Sequence, residues 1–139
     1  MKAEHKIKRE ILRRAERYSP DEFRFGELES AEAIDEAWTK LDEAGLRHEH
    51  EAEFRGGQCE TDIPAPWSRH YESKSVAAKL EDGSWVGWTY WYGGGKHGEP
   101  QAVDWIEYAY NLECKEEERL VVVRTFTVAD QPDPPAEPG

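Results

Sequence analysis

One dipeptide constrains this chain more than any other feature. Asp82-Gly83 separates two runs of β-prone residues, Val76–Leu80 and Trp85–Tyr92. Asp-Gly between such runs signals a hairpin, because glycine accepts the positive φ that a tight turn needs. A two-residue turn pairs Glu81 with Ser84 and sets Leu80 opposite Trp85, Ala78 opposite Gly87 and Val76 opposite Thr89. One face then carries Val76, Ala78, Leu80, Trp85 and Trp91, and the other Ala77, Val86, Trp88, Tyr90 and Tyr92. On this register Trp85 and Trp91 belong to the core. Trp88 and Tyr90 become candidate anchors for a partner, since exposed aromatic rings dominate binding surfaces.

Helices are read from spacing. Ile7, Ile11, Ala15 and Tyr18, with Leu12 beside them, predict a helix over 3–17. Ser30 as cap, Ile34, Ala37, Trp38 and Leu41 as inner stripe, and Gly45 as stop predict another over 31–44. From Leu46 the period changes to two. Leu46, His48, His50, Ala52 and Phe54 alternate with Arg47, Glu49, Glu51, Glu53 and Arg55, the pattern of a half-buried strand. Gly56-Gly57 gives a turn, and a short strand over 59–63 follows before Pro64 and Pro66 impose an extended stretch around Trp67. Pro100 opens a third helix with Val103, Ile106, Ala109 and Tyr110 facing inward, ended by Asn111. Glu118–Val128, rich in β-branched residues, reads as a buried strand. The expected fold is α+β: a four- or five-stranded, mostly antiparallel sheet packed by about three helices, in one domain over 1–129. Residues 130–139 hold four of the eight prolines and are expected to form a disordered tail.

Charge bounds the function classes. The chain of 139 residues has 30 acidic and 18 basic groups, net −12. Residues 1–17 carry +4, and the remainder −16. Residues 20–53 alone hold 12 acids against Arg24, Lys40 and Arg47. A body this acidic does not present a general phosphate-binding surface. Local nucleic-acid binding by the basic helix stays open, as does its packing against the acidic body. Glu32, Asp35, Glu36, Asp42, Glu43, Glu49, Glu51 and Glu53 are candidates for one negative patch that attracts a basic partner. No apolar run reaches the 18 or so residues of a membrane helix. The charged N-terminus does not read as a secretory signal, so a cytoplasmic setting with Cys59 and Cys114 as free thiols is expected.

Three motifs invite chemical readings. His48 and His50 in strand register could share a metal with His70, His97 or Cys59, although a half-buried structural pair is the plainer reading. Gly93-Gly94-Gly95-Lys96-His97-Gly98 could cradle an anion through Gly94, Gly95, Lys96 and His97. It lacks the Ser or Thr of a P-loop and the parallel βαβ setting of a dinucleotide site. Ser68-Arg69-His70-Tyr71-Glu72 has a hydroxyl, an imidazole and a carboxylate but no nucleophile elbow. No metal, cofactor or catalytic residue is expected from these.

Trp67-Ser68-Arg69-His70-Tyr71-Glu72-Ser73-Lys74-Ser75-Val76 and Asp82-Gly83-Ser84-Trp85-Val86-Gly87-Trp88-Thr89-Tyr90-Trp91-Tyr92-Gly93-Gly94-Gly95-Lys96-His97-Gly98 resemble small proteins of bacteriophages and prophages. The resemblance spans about residues 60–128. It implies a bacterial host cytoplasm and makes a host-directed role plausible, and it carries no catalytic residue. The leading expectation is therefore an acidic, non-enzymatic interaction protein. It binds a host protein, one that handles nucleic acid being a natural target, through Asp35, Glu36, Glu49, Glu51, Glu53, Trp88 and Tyr90. The alternatives are a ligand-binding module or enzyme in which the Gly93–Gly98 loop, His70 and His97 converge on one pocket, and nucleic-acid binding by residues 1–17.

Overall fold

In the computed structural model, which describes residues 1–129 (His97 by its backbone only), three helices precede a four-stranded antiparallel sheet. The expected tail lies outside the described residues. The α+β class and the number of helices are as the sequence predicts, although one of the three is not where it was expected. Among the described residues no helix is long and apolar enough to cross a membrane.

Helix α1 (Ala3–Tyr18) buries Ile7, Ile11, Leu12 and Ala15. Helix α2 (Ala31–Glu43) begins where Ser30 Oγ accepts from the Ala33 N–H at 3.2 Å and ends before Gly45, whose φ of +76° only glycine adopts cheaply.

Helix α3 (Arg47–Arg55) occupies the segment expected to be a strand. Leu46, His50 and Phe54 fit a two-residue period, but they are also four apart, and burial selects the helical reading. His50 and Phe54 are buried, whereas His48 and Ala52, which a strand would have turned inward, are exposed. His50 meets the Tyr18 ring edge-on at 6.1 Å, and Arg14 lies 4.9 Å over Phe54, so α1 supplies the cover. His48 and His50 point apart, which removes the shared metal site. Among the described residues no group of three or more His, Cys, Asp or Glu is placed to hold a metal.

Strands β1 (Cys59–Glu60), β2 (Glu72–Lys79), β3 (Trp85–Tyr92) and β4 (Tyr110–Leu112) lie in that order across the sheet. The β2–β3 hairpin forms, but one residue out of the expected register. Lys79 pairs with Trp85, Ala78 with Val86 and Val76 with Trp88. The Leu80 N–H donates to Ser84 O and the Gly83 N–H to Leu80 O, both at 2.9 Å, which makes a three-residue loop with Gly83 at φ +87°. Asp82 Oδ1 accepts from both the backbone N–H and the hydroxyl of Ser84, at 2.9 and 2.6 Å, and so holds the longer loop. A one-residue slip turns every β3 side chain to the opposite face. Val86 and Trp88 join Val76, Ala78 and Leu80 under the helices, and Trp85 and Trp91 turn outward, half-buried.

Two C-terminal expectations also fail. The region after Pro100 contains only single 3₁₀ turns, at Pro100–Ala102 and Ile106–Tyr108, before β4. Trp105 and Ile106 are buried there, and Trp105 lies 5.2 Å from Trp88 and 6.5 Å from Phe54. These anchors are adjacent in sequence and do not require a helix. Glu118–Val128 forms no strand. Leu120, Val121, Val122, Val123, Phe126 and Val128 are each 75% exposed or more.

Candidate functional site

Hydrogen-bond parity determines which groups β3 leaves free. Ser75 O and Ala77 O on β2 accept from the Thr61 and Gln58 N–H groups at 2.9 and 2.8 Å, so both face β1. Their antiparallel neighbours, Thr89 and Gly87, therefore point the other way, toward β4. Gly87 is opposite Tyr110 there. Before Tyr110 the chain swings away through Ile106–Tyr108, so Thr89 and Trp91 have no strand beside them. Among the described residues nothing bonds to the Thr89 N–H or C=O from that side. The Trp91 carbonyl accepts from the Arg55 guanidinium.

A cavity of about 520 Å³ lies along this open edge, lined by Pro66, Thr89, Trp91, Val103, Trp105 and Tyr108, with the exposed Asp104 among them. A smaller one of about 130 Å³ shares Val103, Asp104 and Trp105 and adds Glu51, Glu107, Arg47 and His48. Trp105 is fixed by its packing on Trp88 and Phe54, while Tyr108 is 75% exposed. Unpaired strand backbone, rigid aromatic walls and nearby carboxylates suit an extended peptide segment carrying apolar and cationic side chains.

The acidic candidates are only partly free. Asp35, Glu36, Glu49 and Glu53 are exposed on α2 and α3. Asp35 lies 3.1 Å from His5 Nε2 and 3.4 Å from Lys8 Nζ. Burial works against its charge, but the His5 hydrogen bond and the Lys8 charge hold its carboxyl below the usual range. Glu51 is half-buried near Arg47 and His48, and burial raises its pKa, with Glu107 and Asp42 adding to the rise. Trp88 is fully buried and its indole is bonded within the core, so it offers no surface to a partner. Tyr90 is half-buried between Arg55, 4.5 Å from its ring, and Lys74, 5.5 Å from it.

The cations of α1 are engaged on the protein's own body. Lys8 pairs with Glu4 and Asp35, Arg9 with Asp82, Arg13 with Glu16, and Arg17 with Glu81.

The glycine loop is accounted for by packing. Gly93, Gly94 and Gly95 all have positive φ. A Cβ on Gly94 would lie 2.8 Å from the Tyr71 ring, and one on Gly98 would lie 2.6 Å from Gly94 Cα. The Tyr71 hydroxyl accepts from the Glu99 N–H at 3.2 Å. Lys96 and Gly98 line a cavity of about 510 Å³ on one side of Tyr71, and His70 lines another of about 620 Å³ that also includes Tyr71. The loop and His70 are thus neighbours across one tyrosine ring but belong to separate concavities.

Sequence reasoning missed Trp91, Val103, Trp105 and Tyr108 as site residues. The two-residue turn placed Trp91 in the core, the helical reading of 100–111 turned Val103 inward, and Trp105 and Tyr108 fell outside its inner stripe. Comparison with protein-family models, curated proteins and solved structures finds no match for this chain.

Proposed function

We propose that this is a non-enzymatic binding protein of phage or prophage origin. It takes up an extended, basic and apolar segment of a host protein in the groove beside β3. The free Thr89 N–H and C=O on the edge of β3, facing an aromatic-lined cavity, carry this reading. The charge balance supports it: residues 31–55 hold eight acids against Lys40, Arg47 and Arg55, and Glu51 lines the cavity that adjoins the groove, which favours a basic partner. The engagement of the α1 cations favours a protein partner over nucleic acid. The source and the bacterial-cytoplasm setting rest on the resemblance of residues 67–76 and 82–98.

The test is capture from bacterial lysate at low salt, with retained proteins identified by mass spectrometry. Basic proteins should be retained by the native chain, released as salt rises, and lost with Trp91→Ala and Tyr108→Ala. Empty columns at low salt, or retention indifferent to both substitutions, would overturn the proposal.

A further inference from the structure

We infer that the groove also receives the segment Leu120–Val128 of a second copy of this chain, added as an antiparallel strand to the open edge of β3. This rests on the reading of the groove as a docking site and names one occupant for it.

Three independent observations meet here. The segment has the composition of a strand, Leu120-Val121-Val122-Val123-Arg124-Thr125-Phe126-Thr127-Val128, and nothing to pair with: its six large apolar side chains stand in solvent. The edge has the reverse problem, with Thr89 backbone groups unpaired beside an apolar cavity. The charges are complementary. Leu120–Val128 carries Arg124 and no acid, Arg119 just before it being held by Glu117 at 3.0 Å, whereas Asp104 and Glu107 are exposed beside the groove.

Geometry selects the second copy over the chain's own segment. β4 runs antiparallel to β3, so the chain leaves Leu112 opposite Trp85, at the hairpin end. To enter the groove antiparallel to β3 it must first return past Tyr92, about 24 Å at the rise of a strand. The backbone from Leu112 to Leu120 reaches at most about 28 Å. The remaining length, about 4 Å or one residue, is too short for the two reversals. A second copy meets no such limit, and reciprocal exchange about a two-fold axis fills both grooves at once.

Molar mass by light scattering over rising protein concentration tests this. The native chain should pass from 16.1 kDa toward twice that value. Val122→Asp with Phe126→Asp should stay at the single-chain mass, both sites being exposed and so harmless to the fold. Thr89→Pro should do the same, because the N–H it removes is not one that β2 uses. Tyr108→Ala serves if that variant unfolds. A segment variant mixed with a groove variant should restore a dimer, since one intact contact remains. A native mass unchanged to about 1 mM, or dimers that survive both kinds of variant, would overturn the inference. Monomers that still capture basic host proteins through Trp91 and Tyr108 would overturn it alone and leave the proposed function standing. Dimers without capture would do the reverse.

Discussion

The Trp88 indole Nε1–H donates to the Arg55 carbonyl oxygen at 2.8 Å. This bond ties the last turn of α3 to the middle of β3, and it exists only because the hairpin register turns Trp88 inward. Trp88→Phe should cost about 1–3 kcal/mol, since it leaves the Arg55 carbonyl unsatisfied. Trp88→Ala should cost about 3–5 kcal/mol for the cavity it opens. Denaturant unfolding measures both, and Trp91→Ala, at a half-buried outward site, should fall well below the second figure.

A methyl group on Gly87 would have to displace two half-buried side chains of β4. A Cβ there would lie 2.7 Å from Tyr110 Cε2 and 2.8 Å from Leu112 Cδ1. Gly87→Ala should destabilise the fold by about 1–3 kcal/mol through overpacking. Because the clash falls on β4, amide protection at Tyr110 and Leu112 should drop before that of the β2–β3 ladder.

Glu10 sits in α1 with its carboxyl pushed up, first by burial and then by the Glu81 charge, against the pull of Arg14 and Arg17. A carboxyl raised in the folded state contributes stability while it is protonated and loses it as pH rises through the folded value. Glu10→Gln should therefore raise the thermal midpoint at pH 7. The gain should vanish in acid, below the ordinary carboxylate range.

Asp82 runs the opposite way. Hydrogen bonds from the Ser84 hydroxyl and N–H lower its pKa, with Lys6 and Arg9 assisting against the cost of burial. Its contribution is complete above the ordinary carboxylate pKa and is lost as pH falls through the depressed value. Asp82→Asn should melt earlier than the native chain at pH 7, and the gap should close in acid. Melts across pH on both variants separate the two signs.

The legible parts of the fold were those with one periodicity and one burial pattern. α1 and α2 have apolar stripes that fit no other element, and Ser30 and Gly45 mark the ends of α2. The failures share a physical cause. Leu46, His50 and Phe54 satisfy two periods at once, and only contact with α1 chooses between them. Asp82-Gly83 signals a hairpin but not its loop length. The Asp82–Ser84 bonds add one residue, and that residue exchanges the core and surface tryptophans. The groove was hidden by the same slip and by the helical reading of 100–111. Glu118–Val128 has strand composition without a strand partner in its own fold, which sequence pattern does not register. The acidic face was legible as charge but not as geometry, since Asp35 and Glu51 meet cations that come from α1 and α3.

Backbone amide exchange along β3, followed by NMR on the dilute native chain, tests the open edge most directly. Trp88 and Tyr90 face β2 and should exchange slowly, whereas Thr89 and Trp91 should exchange fast. Adding a peptide of residues 117–129 should slow Thr89 and Trp91 and leave Trp88 unchanged. Slow exchange at Thr89 in the dilute chain alone, or no protection at any peptide concentration, would contradict a strand-accepting groove at that edge.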